Sequence, residues 1–195
     1  MNITATIARI STATAFLLVA ASVPAFAHDG HHPDAPNPSP NASVSQEIGY
    51  GNVTVKFGRP GVKDRAVWGE LVAYDGGQLG VWMAGANGST VITFDEDVKI
   101  NGNKLKAGSY GFFVVPGKDE WTLVFSNNSD KFGIMKYTKE EDELRITVKP
   151  EAAAHQEWLD YKIVKTGELT ATISVHWEKI KAGFTVEAKD HREEK

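Results

Sequence analysis

The sequence predicts an all-β domain, a single antiparallel β-sandwich or jelly roll of about nine short strands. Three observations carry that expectation. From Val44 onward, short runs of β-branched and aromatic residues recur, broken by Gly, Asn and Asp. Several of these runs alternate apolar and polar residues with a period of two, the mark of a half-buried strand. No long helical period competes with them, and only Lys131 to Glu143 reads as a short helix, closing on the acids Glu140 to Glu143.

The chain opens on a segment that reads as a secretory signal peptide, residues 1–27. Arg9 supplies sparse positive charge, Ala13 to Val23 an apolar stretch, and Ala25-Phe26-Ala27 a small-x-small cleavage site. Cleavage there makes His28 the first mature residue and places the protein in the periplasm or outside the cell. No segment reaches the roughly 18 apolar residues of a membrane-spanning helix. Losing the leader removes only Arg9, leaving twenty Lys and Arg against twenty-five Asp and Glu, a net of −5. An acidic domain is poorly suited to nucleic acid or anionic membranes. The absence of cysteine excludes disulfides, thiolate nucleophiles and cysteine metal sites, so stability rests on the core.

Residues 28–43 read as a disordered His- and Pro-rich tail, because a segment with four prolines and almost no apolar side chains cannot offset its ordering entropy. The folded domain is expected over 44–189, followed by a charged tail at 190–195. Within it Val53 to Phe57, Leu144 to Val148 and Phe184 to Ala188 alternate. The longest alternation puts Leu169, Ala171, Ile173, Val175 and Trp177 on one face and Thr170, Thr172, Ser174 and His176 on the other. That assigns Trp177 to the interior and His176 to the surface. Thr90 to Asp95, Val98 to Ile100, Tyr110 to Val115, Trp121 to Phe125 and Trp158 to Val164 supply the remaining strands. Asn101-Gly102 marks a tight turn, since both residues tolerate positive φ.

Several blocks in order resemble a family of exported bacterial proteins known as domain of unknown function 2911. They are Phe57 to Gly69 (Phe-Gly-Arg-Pro-Gly-Val-Lys-Asp-Arg-Ala-Val-Trp-Gly), Trp82 with Gly85-Ala86-Asn87, Ala107 to Tyr110, Pro116 to Trp121, Glu157-Trp158 and Trp177-Glu178. The resemblance spans about Val44 to Ala188 and implies class and compartment, because the family's activity is not known. Such sequences usually read Trp-Arg-Thr-Gly-Ala-Asn where this one has Trp82-Met83-Ala84-Gly85-Ala86-Asn87, so any anion held by that arginine in relatives loses the contact here. The loop Asp75 to Gly80 is also longer than usual for such sequences.

The candidate ligand-binding set is Arg59, Lys63, Arg65, Trp82 and Asn87. Three cations on one connection, in an otherwise acidic protein, can fork hydrogen bonds to a carboxylate or phosphate. The plainer alternative is that they pair with the domain's own acids and fasten the loop. Among the five tryptophans, Trp68 and Trp82 lie near turns and are the candidates for stacking on a sugar. His28, His31 and His32 form a candidate copper, nickel or zinc chelator in the tail, whose binding would be adventitious rather than required. A histidine brace at His28 would need a second histidine beside the terminus. His155 and His176 are isolated, and His176 shares a polar face with Thr172 and Ser174.

Enzyme signatures are weak. Ala107-Gly108-Ser109-Tyr110-Gly111 lacks the glycine two places before serine that a nucleophile elbow uses. Gly76-Gly77 with Gly80 precedes no helix that would cradle phosphate. The acids Asp95, Glu96 and Asp97 sit at a strand end. No catalytic residue is assigned and no cofactor is required. The expectation is an exported, non-catalytic domain that binds a small ligand, a glycan or a protein partner at one end of the sandwich. The alternatives are a hydrolase or metal-dependent enzyme using His155 or His176, and a periplasmic metal-binding protein acting through the tail.

Overall fold

A computed structural model describes residues 36–129 and 133–194. The segment expected to be a signal peptide and most of the expected His-rich tail, with His28, His31 and His32, lie outside the described residues. Ten strands form two antiparallel sheets. The larger sheet runs β1 (Asn41–Ile48), β2 (Gly51–Gly58), β3 (Thr90–Phe94), β6 (Gly108–Pro116), β7 (Trp121–Ser126) and β8 (Asp142–Val148) in that spatial order. The smaller one runs β5 (Asn103–Leu105), β4 (Val98–Ile100), β10 (Thr170–Ala188) and β9 (Glu151–Lys165).

The alternation read from sequence sets the core. Val53, Val55 and Phe57 of β2 point inward against Ile92 and Phe94 of β3, Phe112 of β6 and Leu123 and Phe125 of β7, and all are buried. From the smaller sheet come Leu159, Tyr161, Ile173, Val175 and Phe184. At the centre of the larger sheet both faces are covered. Phe113 and Val124 face away from the main core, into a second cluster with Val81, Met83, Val115, Ile134 and Tyr137.

β10 is a nineteen-residue run that doubles back on itself. Kept straight, it would hold its ends roughly 60 Å apart at about 3.3 Å per residue. Instead the Ala188 N–H donates to the Leu169 carbonyl at 2.8 Å, and a Cβ on Gly183 would lie 2.9 Å from the Ile173 carbonyl oxygen. The reversal falls at Glu178, whose φ of +54° is a turn conformation. The two alternating runs expected at Leu169 to Trp177 and Phe184 to Ala188 are thus the two arms of this run. The residues buried on one face change from 171, 173, 175 and 177 to 182, 184, 186 and 188 across the turn.

Other differences have local causes. β1 starts at Asn41, ahead of Val44, because it is an edge strand pairing with β2 alone and needs few apolar residues. β5 was invisible in sequence because it has three residues, paired to β4 across the Asn101-Gly102 turn, where both φ values are positive. β9 starts at Glu151, where Ala152 to Ala154 show no alternation but pair around the β10 turn. The segment expected as a short helix contributes only the 3-10 turns Gly133–Lys136 and Lys139–Glu141, and β8 already begins at Asp142.

Candidate functional site

Residues 59–89 connect β2 to β3 and close one end of the sandwich. The connection is fixed by backbone pairing as much as by side chains. Val62 N–H donates to Glu157 O at 2.8 Å and Leu159 N–H to Pro60 O at 3.0 Å, which lays Gly61 against the edge strand β9 at Trp158. Further along, Trp82 and Val114 exchange two hydrogen bonds of 2.7 and 2.8 Å, extending β6 where β3 has ended. The buried Ala84 carbonyl accepts from Tyr161 Oη at 2.8 Å and Thr90 Oγ1 at 3.0 Å. Burial pushes the Tyr161 phenol well above its ordinary range, so it remains a donor there.

The five candidate ligand residues all lie on this connection, and each has partners within the protein. Arg59 donates through Nε to the Leu159 carbonyl at 2.9 Å, and its Nη2 stands 3.7 Å from Asp160, with both side chains about a third exposed. Arg65 turns back on its own loop and donates to the Val62 and Gly61 carbonyls. Asn87 donates to Asn37 Oδ1 and to the Ser39 carbonyl, tying the incoming chain to the site. Lys63 is exposed; its ammonium is 3.5 Å from the Pro38 carbonyl and 5.8 Å from the centre of the Trp158 ring. Trp82 belongs to an aromatic cluster with Trp68, Trp121 and Trp177. Arg59 therefore ties the loop to β9 and stands near an acid, whereas Arg65 braces the loop on its own carbonyls rather than on an acid.

Glu157 is the acid that joins loop and sheet. Its Oε1 accepts the Lys63 N–H at 3.0 Å and its Oε2 lies 3.3 Å from His155 Nε2. The backbone donor first, and the imidazole second, hold its carboxyl below the usual glutamate range. Beside it Trp158 is 37% exposed, whereas Trp121 and Trp177 are buried and Trp68 and Trp82 half-buried. Position near turns points to Trp68 and Trp82 as the candidates for an open platform, whereas the most exposed of the five tryptophans is Trp158. Nothing in the alternation of β9 singles out Trp158, because its exposure follows from β9 being an edge strand.

The departure at Met83 falls on the other side of the larger sheet, where Met83 packs with Val81, Phe113 and Val124. His176 faces outward as expected, and its Nε2 bonds the Ala154 carbonyl at 2.9 Å rather than a carboxylate. Among the described residues no group of three His, Cys, Asp or Glu is placed to hold a metal. At the opposite end a groove of about 890 Å³ is lined by Lys99, Leu105, Leu169 and Glu187. Its charges meet one another: Lys99 and Glu187 are 2.7 Å apart, and Lys106 and Asp97 2.8 Å.

Fold and site together define a two-sheet antiparallel β protein whose sequence-distant blocks converge on one loop-covered end. The chain belongs to the DUF2911 family, described as a protein of unknown function, whose model matches residues 39–186. A search of the curated proteins and of the solved structures finds no match to the chain. Among the described residues no helix is long and apolar enough to cross a membrane.

Proposed function

We propose that the protein is an exported, non-catalytic binding domain that recognises a small ligand, glycan or protein partner at the end covered by residues 59–89. The observation that carries this reading is the Lys63–Trp158 pair. An ammonium 5.8 Å from the centre of a solvent-facing indole, on a loop pinned to β9 by backbone pairing, makes a rigid aromatic surface with one positive charge. Arg59, Arg65 and Asn87 support that surface by fixing the loop, which leaves Lys63 and Trp158 to meet a partner. Loops at sandwich ends are the usual place for such a role, because the sheets hold them still while leaving their side chains free. Export is inferred from the signal peptide read at residues 1–27.

A thermal-shift screen of the purified protein against carboxylates, phosphates, oligosaccharides and divalent metals tests the reading. A ligand at a hundredfold excess over its dissociation constant adds about 2.7 kcal/mol of stability. The expected result is a shift with one ligand class that Trp158→Ala and Lys63→Ala remove while the unliganded melting temperature changes little. A shift that both variants retain would place binding elsewhere on the molecule.

A further inference from the structure

The chain holds two Asn-Gly pairs, Asn87-Gly88 and Asn101-Gly102. Both asparagines are exposed and both have positive φ, +66° and +46°. They use opposite ends of the same amide group. Asn101 acts as an acceptor: its Oδ1 takes the Thr185 N–H at 2.8 Å and the Thr185 hydroxyl at 3.0 Å. Asn87 acts as a donor: its Nδ2 gives hydrogen bonds to Asn37 Oδ1 at 3.3 Å and to the Ser39 carbonyl. Its orientation is set by those partners, since Asn37 Oδ1 also accepts the Ser39 N–H at 2.9 Å and so presents lone pairs to Asn87. The two bonds clasp residues 37–39 onto the connection, whereas the next residue, Pro40, is held separately by the Arg59 N–H at 2.9 Å.

An asparagine followed by glycine is open to intramolecular attack, because glycine has no side chain to shield its own nitrogen. Among the described residues no acceptor holds the Gly88 N–H. We propose that Asn87-Gly88 is a self-modification site that acts as a one-way release for residues 37–39. The Gly88 nitrogen gives up its proton to solvent and attacks Asn87 Cγ. The N–Cγ bond forms, the Cγ–Nδ2 bond breaks, and Nδ2 takes a proton from water and leaves as ammonia. Water then opens the cyclic imide at either carbonyl, giving aspartate or isoaspartate. Water is the only co-reactant, and nothing is oxidised or reduced.

The product differs from the amide in the property that the clasp uses. An ionised carboxylate is an acceptor only, whereas the amide brought two donors. Its oxygens would face Asn37 Oδ1 and the Ser39 carbonyl, both acceptors, and the clasp is lost. Aspartate at position 101 would keep acceptor oxygens for Thr185, so the same exchange there is tolerated. The freed segment includes the Pro38 carbonyl, 3.5 Å from the Lys63 ammonium, so the modified form also changes what faces Lys63. The inference does not rest on the binding-domain reading, because its readout needs no ligand.

The test is to age the purified protein at mildly alkaline pH, where more of the Gly88 nitrogen is deprotonated, and to map peptides after isoaspartyl methyltransferase labelling. Gly88 does not adopt a positive φ, unlike Gly102, so Gly88→Ala is a conformationally permitted block. The expected result is label at Asn87 that Gly88→Ala suppresses. Hydrogen exchange at the Ser39 amide should quicken about tenfold or more in Asn87→Asp and stay at the wild-type rate in Asn101→Asp. If Asn87→Asp fails to fold, aged wild-type protein supplies the same measurement. No label at Asn87, after a short peptide of residues 85–90 has fully converted under the same conditions, would overturn the site. Full conversion with an unchanged Ser39 amide would overturn the release, and so would equal loosening by Asn101→Asp, which would show general destabilisation.

Discussion

Gly58 and Gly102 show two different demands on a residue without a side chain. A Cβ at Gly58 would lie 2.1 Å from the Ala86 carbonyl oxygen, because the end of β2 packs backbone to backbone on residues 84–87. At Gly102 nothing lies within 4 Å, but φ is +83°. Gly58→Ala is therefore expected to destabilise by about 3 kcal/mol through overpacking, and Gly102→Ala by about 1 kcal/mol through strain alone. Urea midpoints of the two variants check the ranking. Glu157 carries the pH dependence of the site. Hydrogen bonds from the Lys63 N–H and then His155 depress its folded value below the usual glutamate range. A depressed carboxyl contributes stability above its unfolded pKa, about 4.3, and loses it as pH falls through the folded value. The loop at residues 61–63 is thus expected to loosen below about pH 4, read by faster exchange of the Lys63 amide. Glu157→Gln should remove that acid step.

At the scale of elements, the fold-back of β10 depends on Glu178. Its φ of +54° suits glycine better than glutamate, although its carboxylate accepts the Lys179 N–H at 2.6 Å. Glu178→Gly should change stability by no more than about 1 kcal/mol, the relief of strain offsetting the lost hydrogen bond. Glu178→Pro should be severely destabilising, by about 3 kcal/mol or more, because proline locks φ near −65° and cannot make the turn. Denaturation curves decide this. Equal tolerance of both variants would mean that no turn is needed there. The alternation was legible in β2, β8 and both arms of β10 because each buries a single face. It failed at β1, β5 and the start of β9, where pairing with a neighbour defines the strand and burial does not.

Across the whole molecule, the four-indole cluster joins the two sheets to the connecting loop. Trp121 comes from the larger sheet, Trp177 from the smaller one, and Trp68 and Trp82 from residues 59–89. Loss of the cluster should therefore be felt by every layer at once. Trp121→Ala is expected to lower stability by about 3–5 kcal/mol, with the circular-dichroism and tryptophan-emission transitions shifting together. Separate transitions would show that the sheets unfold independently.

The all-β class, the tight turn at Asn101-Gly102 and the burial of Trp177 were determined by the sequence, since each follows from local periodicity or backbone preference. The convergence of Arg59 and Lys63 with Glu157, Trp158 and Leu159 was decided only in three dimensions. Which carbonyl an arginine reaches depends on how a long connection folds against a strand a hundred residues away, and alternation carries no information about that. The same holds for Trp158 and Trp68: chemically alike in sequence, they differ because one lies on the edge strand β9 with its ring outward and the other lies on the connecting loop, packed against Trp82, Trp121 and Trp177.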